Sequence, residues 1–240
     1  MNKEQSKIHR WDVTPKEAIE IQKQLALHIN TDAYEGEIKY LAGADISLNM
    51  FSDIAYAGII VVSYPDMTPV AHAVVKLKIN FPYIPGLLSF REIPALTDAW
   101  NILEEKIKNK KSPKPDILVM DGQGIAHPRG MGIATHIGMI LDIPTIGVAK
   151  SILFGVHKEL GEKAGSKVFL YDNHDPTKKI GVVLRTKKKT KPVIVSPGNM
   201  ISLEQSTAII EKCSRGYRIP EPTRLAHELV NQFRIGEITD

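Results

Sequence analysis

A single cysteine, Cys213, is the first constraint in this chain of 240 residues. One thiol excludes an intrachain disulfide and a cysteine metal cluster. Long apolar runs are missing as well. None reaches the ~18 residues of a membrane span, and the opening MNKEQSKIHRWDVTP is polar, without the apolar core of a secretion signal. The expected place is a reducing cytoplasm, away from membranes. No internal repeat and no long low-complexity linker divides the chain. Several catalytic signatures are also absent. Ala149 precedes Lys150 where a P-loop needs glycine, and Pro144 stands in place of its first glycine. His227-Glu228 begins a zincin-like string, but Asn231 occupies the position of the second histidine. There is no G-x-S-x-G elbow for a hydrolase serine, and no G-x-G-x-x-G follows a strand, so dinucleotide binding is unsupported.

What remains is an ordinary globular composition, 43% hydrophobic and 24% charged, able to bury a core. The length fits one α/β domain or two small ones. A net charge of +4 permits nucleic-acid binding without demanding it.

The most informative stretch is Asp116–Ser151. Ile117–Met120 is short and apolar enough for a buried strand and ends on Asp121. The glycine turn Gly122-Gln123-Gly124 follows. A helix is predicted next, with Ile133, Ile137, Ile140 and Leu141 on one face, opened by His127, whose free N–H groups could hold a phosphate. A second short strand, Thr145–Val148, leads to Lys150. Ligands of open α/β sheets bind beyond the carboxyl ends of strands. An acid and a lysine at neighbouring strand ends suit a metal, a phosphate, or both. Asp at a strand end with Gly beyond it is equally ordinary loop chemistry.

Before this stretch, Thr14-Pro15-Lys16-Glu17 is a capping box with proline at the first helical position, opening a helix striped by Ala18, Ile21, Leu25 and Ile29. Ile38–Ile46, Ala55–Tyr64 and Val70–Ile79 read as three strands of an antiparallel meander. Asp45 sits near the end of the first, within an otherwise apolar stretch where an unpaired carboxylate is costly. FPYIPGLLSFRE, residues 81–92, is a stiff turn holding Tyr83 and Ile84 at its tip. Such residues either cap a core or enter a base stack to keep a flipped nucleotide out. Arg91 and Glu92 are expected to open the helix behind it, whose lysine-rich end runs to Lys114.

After Lys150, strands are expected at Ser166–Tyr171, Ile180–Thr186 and Val193–Ser196, at an edge of the sheet. The basic turn Lys187–Lys191 between them protects that edge or contacts DNA. Ser202–Gln205 is a second capping box, and Arg218–Pro222 introduces a last helix, Thr223–Phe233, carrying His227. A meander followed by βα units predicts an α/β fold with a mixed sheet. If Asp45, Glu92 and Asp121 converge, they need a cation or a proton to coexist, and carboxylate oxygens suit Mg²⁺ or Mn²⁺. Lys150 could then neutralise charge developing on a phosphate.

Five strings occur in order: AGADIS around Asp45, FPYIPGLLSFRE around Glu92, DGQGIAHPRG from Asp121, PTIGVAKS up to Ser151, and RIPEPTRLAH from Arg218 to His227. Together they resemble the endonuclease V family, the deoxyinosine 3′ endonucleases, from His9-Arg10-Trp11 to the last helix. The resemblance implies a ribonuclease-H-like fold, a central mixed sheet flanked by helices, in one domain spanning residues 1–240. It implies Mg²⁺-dependent hydrolysis, with Mn²⁺ able to substitute, at the second phosphodiester 3′ of a deoxyinosine. The products would carry 3′-hydroxyl and 5′-phosphate ends. Asp45 and Asp121 would bind the metal, Glu92 would complete the acidic site, His227 would stand near the metal, and Lys150 would contact the phosphate. Tyr83 would lead a strand-separating wedge in the loop of Ile84 and Pro85. Gly86, Leu88, Gly122 and Ile133 would hold the base, with His127 beside them on the DNA. Implied partners are DNA with deoxyinosine or other deaminated bases, or inosine-containing RNA, and a monomer is expected. One departure is Asn199, where the family often has histidine. The rival readings are a non-catalytic binder of deaminated nucleic acid and a structural α/β protein.

Overall fold

A computed structural model describes residues 8–48 and 53–239, so the first part of the polar amino-terminal stretch lies outside the described residues. The nine strands among them form one mixed sheet. They are β1 (Tyr40–Leu48), β2 (Ile54–Ser63), β3 (Pro69–Lys78), β4 (Ile117–Asp121), β5 (Thr145–Ala149), β6 (Val156–His157), β7 (Lys167–Tyr171), β8 (Lys179–Leu184) and β9 (Val193–Asn199). Their order across the sheet is β3-β2-β1-β4-β5-β9-β8-β7-β6. The predicted meander β1–β3 is antiparallel. β1, β4 and β5 are mutually parallel in the centre.

Helices cover both faces. α2 (Leu88–Lys108) and α3 (Ile133–Leu141) pack with Ala42, Ala44, Leu118 and Met120 on one side. α4 (Leu203–Lys212) and α5 (Glu221–Ile235) pack with Leu41, Ile117, Val119, Ile146 and Val148 on the other. α1 (Pro15–Ala26) carries the predicted capping box: Thr14 accepts from the Glu17 N–H, and the Glu17 side chain accepts from Thr14.

Several boundaries differ from the sequence reading. α2 begins at Leu88, so Glu92 lies one turn inside the helix instead of at its start. Pro94 also lies inside it, which costs about 3 kcal/mol. Ile93, Leu96, Trp100 and Leu103 are all buried; at about 1.5–3 kcal/mol each they outweigh that cost. α3 begins at Ile133, so His127 does not open a helix and no free helix terminus stands there to hold a phosphate. Pro128 lacks a donor, and the His127 N–H is already spent on the Ile125 carbonyl at 2.7 Å. β9 and β8 are interior strands; the edge on that side is β6, two residues that the sequence did not reveal. At α4 only half the capping box forms. Ser202 accepts from the Gln205 N–H, while the Gln205 side chain turns to both backbone groups of Tyr34. α5 starts two residues before the predicted position.

Candidate active site

Strand alternation sets the first two acids. Side chains of a strand alternate between faces. Asp45 therefore shares a face with Leu41, and Asp121 with Ile117 and Val119, on the α5 side of the sheet. The parallel register pairs Ala44 with Met120, which brings the next residues, Asp45 and Asp121, side by side. Lys150, two positions beyond Val148 on the same face, follows the end of the neighbouring strand. Its ammonium pairs with Oδ2 of Asp121.

α5 supplies the fourth group. It crosses β1 closely because Gly43 lacks a side chain: a Cβ there would stand 1.9 Å from the Pro222 carbonyl oxygen. This approach lays His227 over Asp45, and Nδ1–H of His227 donates to Asp45 Oδ2 at 2.7 Å. Asn231 Nδ2 lies 3.0 Å from the other ring nitrogen, so the ring is held between Asp45 and Asn231. Burial, then the charge of Asp121, pushes the Asp45 carboxyl above its ordinary range, against the opposing pull of His227 and Lys150.

Glu92 arrives from α2. Burial foremost, and then Asp45 and Asp121, push its pKa up to about 8. Its carboxylate has no hydrogen-bonding partner among the described residues. All three acids therefore share one field. Fully ionised and set against one lysine, they leave an excess of two negative charges. Hard oxygen donors with that excess fit a divalent cation. Among the described residues, however, no three His, Cys, Asp or Glu groups already form a metal cage. Lys150 and His227 instead satisfy one oxygen of each aspartate.

Beside the acids lies a cavity of about 240 Å³, below the roughly 300–1,000 Å³ of drug-sized ligand sites. All eight residues singled out for substrate contact line it, from Tyr83 to Ile133. Gly122 needs to be glycine here: its φ is +154°, and a Cβ would stand 2.4 Å from Ile133 Cγ2. Tyr83 is 70% exposed at the lip, whereas Ile84 packs against the cluster of Ala18, Phe81, Leu87 and Phe90. The two readings of that loop thus divide between its two apolar residues. Two buried oxygens of the lining, Ser89 Oγ and Gln123 Oε1, have no partner among the described residues.

The loop is fastened by His127 together with Gln22 and Arg129, two residues that the sequence reading did not select. The Gly86 carbonyl accepts from Gln22 Nε2 at 3.1 Å, Arg129 Nη2 at 2.7 Å and His127 Nε2 at 3.1 Å. The Arg129 N–H donates to His127 Nδ1, which places the ring proton on Nε2. Burial lowers the His127 pKa to about 4, so the ring is neutral near pH 7. The Gln22 side chain also donates to the Met131 carbonyl and accepts from Arg129 Nε. Its one sequence signal is a polar residue four positions from Ala18, on the buried face of α1. Gln123, Ser151 and Leu153 also line the cavity and were not foreseen. Asn199, the departure from the family pattern, is buried; it accepts from the Asn30 N–H and makes no contact with the acids.

Acids on adjacent parallel strands of a mixed sheet flanked by helices in this way are the arrangement of ribonuclease-H-like nucleases. The family model for endonuclease V matches residues 20–228. Endonuclease V of Myxococcus xanthus is 42% identical over 231 residues, covering 96% of this chain and 94% of that protein. The crystal structure of endonuclease V from Streptomyces avermitilis superposes with a TM-score of 0.83 at 32% identity, covering 95% and 96% of the two chains. That of Ciona intestinalis endonuclease V, in complex with a 24-mer DNA containing an inosine followed by a ribo-adenosine, gives 0.81 at 27% identity over 93% and 98%. The chain belongs to the endonuclease V family, and so to the nucleases that hydrolyse phosphodiester bonds.

Proposed function

We propose that this protein is a DNA-repair endonuclease acting on deoxyinosine. It hydrolyses the second phosphodiester 3′ of the lesion and leaves 3′-hydroxyl and 5′-phosphate ends. It works as a single-domain monomer in the cytoplasm. The observation that carries the reading is the adjacency of two features: the Asp45–Asp121 pair with Lys150 and His227, and a cavity with Tyr83 at its lip. The inosine in the complex of the Ciona relative supports the substrate.

Asp45 and Asp121 would hold Mg²⁺ or Mn²⁺, which when bound activates water and polarises a phosphate. The chain's own groups do the rest. Lys150 lies at the strand end where charge develops on the phosphate, and it can exchange its bond to Asp121 for one to a phosphate oxygen. His227 holds Asp45 in place through Nδ1–H. Glu92, carrying a proton near neutral pH without a cation, releases it when positive charge enters the site. Tyr83 enters the gap left by the flipped base, which occupies the cavity. The Gly86 carbonyl, already satisfied by three donors, serves as an anchor of the loop, leaving recognition to the other lining groups.

The test is a nicking assay on a labelled duplex with one deoxyinosine, with Mg²⁺ and with chelator, beside the same sequence as RNA. A Mg²⁺-dependent cut one nucleotide beyond the 3′ neighbour of the lesion is expected on DNA. A faster cut on RNA would reassign the substrate. Binding without a cut on either would make the protein a binder.

A further inference from the structure

The lysine-rich turn Lys187–Lys191 invites an explanation as edge protection, and the sheet removes that explanation. Charged residues guard strands whose backbone groups are unpaired. The turn joins β8 to β9, and both strands are paired on each side, to β7 and to β5. Lys187, Lys188, Lys189 and Lys191 are all exposed, and none has a carboxylate partner among the described residues. Four like charges held close together oppose one another without a structural return.

Register gives the turn its position. β9 runs antiparallel to β5, with Thr145 opposite Asn199 and Ala149 opposite Ile194. Moving back along the chain from Ile194 towards Lys187 is therefore moving past the carboxyl end of β5, where Lys150 stands. Arg218 fastens the two together. Its guanidinium donates to the carbonyls of Lys150 at 2.6 Å, Lys191 at 2.9 Å and Pro192 at 3.2 Å. Thr186 Oγ1 closes the other side by donating to the Arg218 carbonyl at 2.6 Å. The basic turn is thus fixed to the strand end that carries the active-site lysine.

We infer that Lys187–Lys191 is a contact for the sugar–phosphate backbone of duplex DNA, gripping the substrate flank while the lesion occupies the cavity. This rests on the proposed action on inosine-containing DNA. The contact is electrostatic and independent of sequence. Its signature is salt dependence, with a slope in log Kd against log salt of about 0.9 for each phosphate neutralised.

The experiment compares the triple variant Lys187→Gln, Lys188→Gln, Lys189→Gln with a charge-matched control, Lys110→Gln, Lys111→Gln, Lys114→Gln. The control lysines are exposed too, but they precede β4 and so lie at the opposite end of the central strands. Kd for a deoxyinosine duplex is measured with chelator from low to moderate salt, alongside melting temperature. The turn variant is expected to bind more weakly at low salt and to flatten the slope by about 1–3. The control and a triple Lys→Arg variant of the turn should keep the wild-type slope. An unchanged slope in the turn variant, or equal flattening in the control, overturns the proposal. A wild-type protein that does not bind the duplex at all overturns the functional reading itself.

Discussion

Nδ1 of His227 donates to Oδ2 of Asp45 across 182 positions of sequence, at 2.7 Å. Asp45 is an interior residue of β1 and His227 lies two turns into α5, so their meeting depends on how closely that helix approaches the sheet. Gly43 sets the approach. The Gly43→Ala variant is expected to lose stability by about 1–3 kcal/mol, the usual range for overpacking, and to lose activity by more than its folded fraction explains. Melting curves with rates corrected for folded protein check this. A variant with wild-type melting and rate would remove Gly43 from the account.

Asp121→Ala should leave lesion binding within a few-fold of wild type while cleavage falls by at least ~10³, because several kcal/mol of transition-state charge stabilisation are lost. Single-turnover rates on an inosine duplex separate the two effects. Cutting at the wild-type rate would show that the metal site is misassigned.

Tyr83→Ala should weaken lesion binding by roughly 1–3 kcal/mol, the worth of a base–aromatic stack. Because Tyr83 is 70% exposed, the melting temperature should barely move. The opposite pattern, intact affinity with a lower melting temperature, favours a core-capping role.

Gln22→Met removes a donor to Gly86 and Met131 and an acceptor for Arg129 at nearly constant volume. Each buried group left unpaired costs about 1–3 kcal/mol. If the clamp acts on DNA through the wedge loop, its effect on affinity should shrink in a Tyr83→Ala background. A double-mutant cycle on Kd reads this directly, and fully additive losses would make Gln22 a purely structural residue.

Glu92 gives the metal-free protein a pH dependence of definite sign. Its carboxyl is raised from an ordinary 4.5 to about 8 on folding. Between those values the folded chain keeps a proton that the unfolded chain releases, so this group lowers stability as pH rises through that window and levels off above about 8. With chelator, Glu92→Gln should therefore gain on wild type by at least ~1 kcal/mol between pH 6 and pH 8.5. Denaturant melts at the two pH values measure the gap. A gap that closes as pH rises would show that Glu92 is not held in a desolvated, negative field.

The sequence by itself determined much of this protein. Short apolar runs leading to Asp121 and Lys150, with glycine and proline between them, read as buried strands and placed the acid and the lysine at neighbouring strand ends. The proline and glycines of residues 81–92 required a stiff turn before a helix, and the five strings in order carried the family. These features are local, and local chemistry is written in neighbouring residues. The tertiary structure decided what depends on distant backbone meeting. It set Glu92 one turn inside α2, turned His127 from a helix start into a donor to Gly86, and brought Gln22 and Arg129 to the same carbonyl. It also moved β8 and β9 from the expected edge to the interior. Strand order and helix approach are set by packing between elements far apart in sequence, and the residues that fasten them bear no signature until their partners arrive.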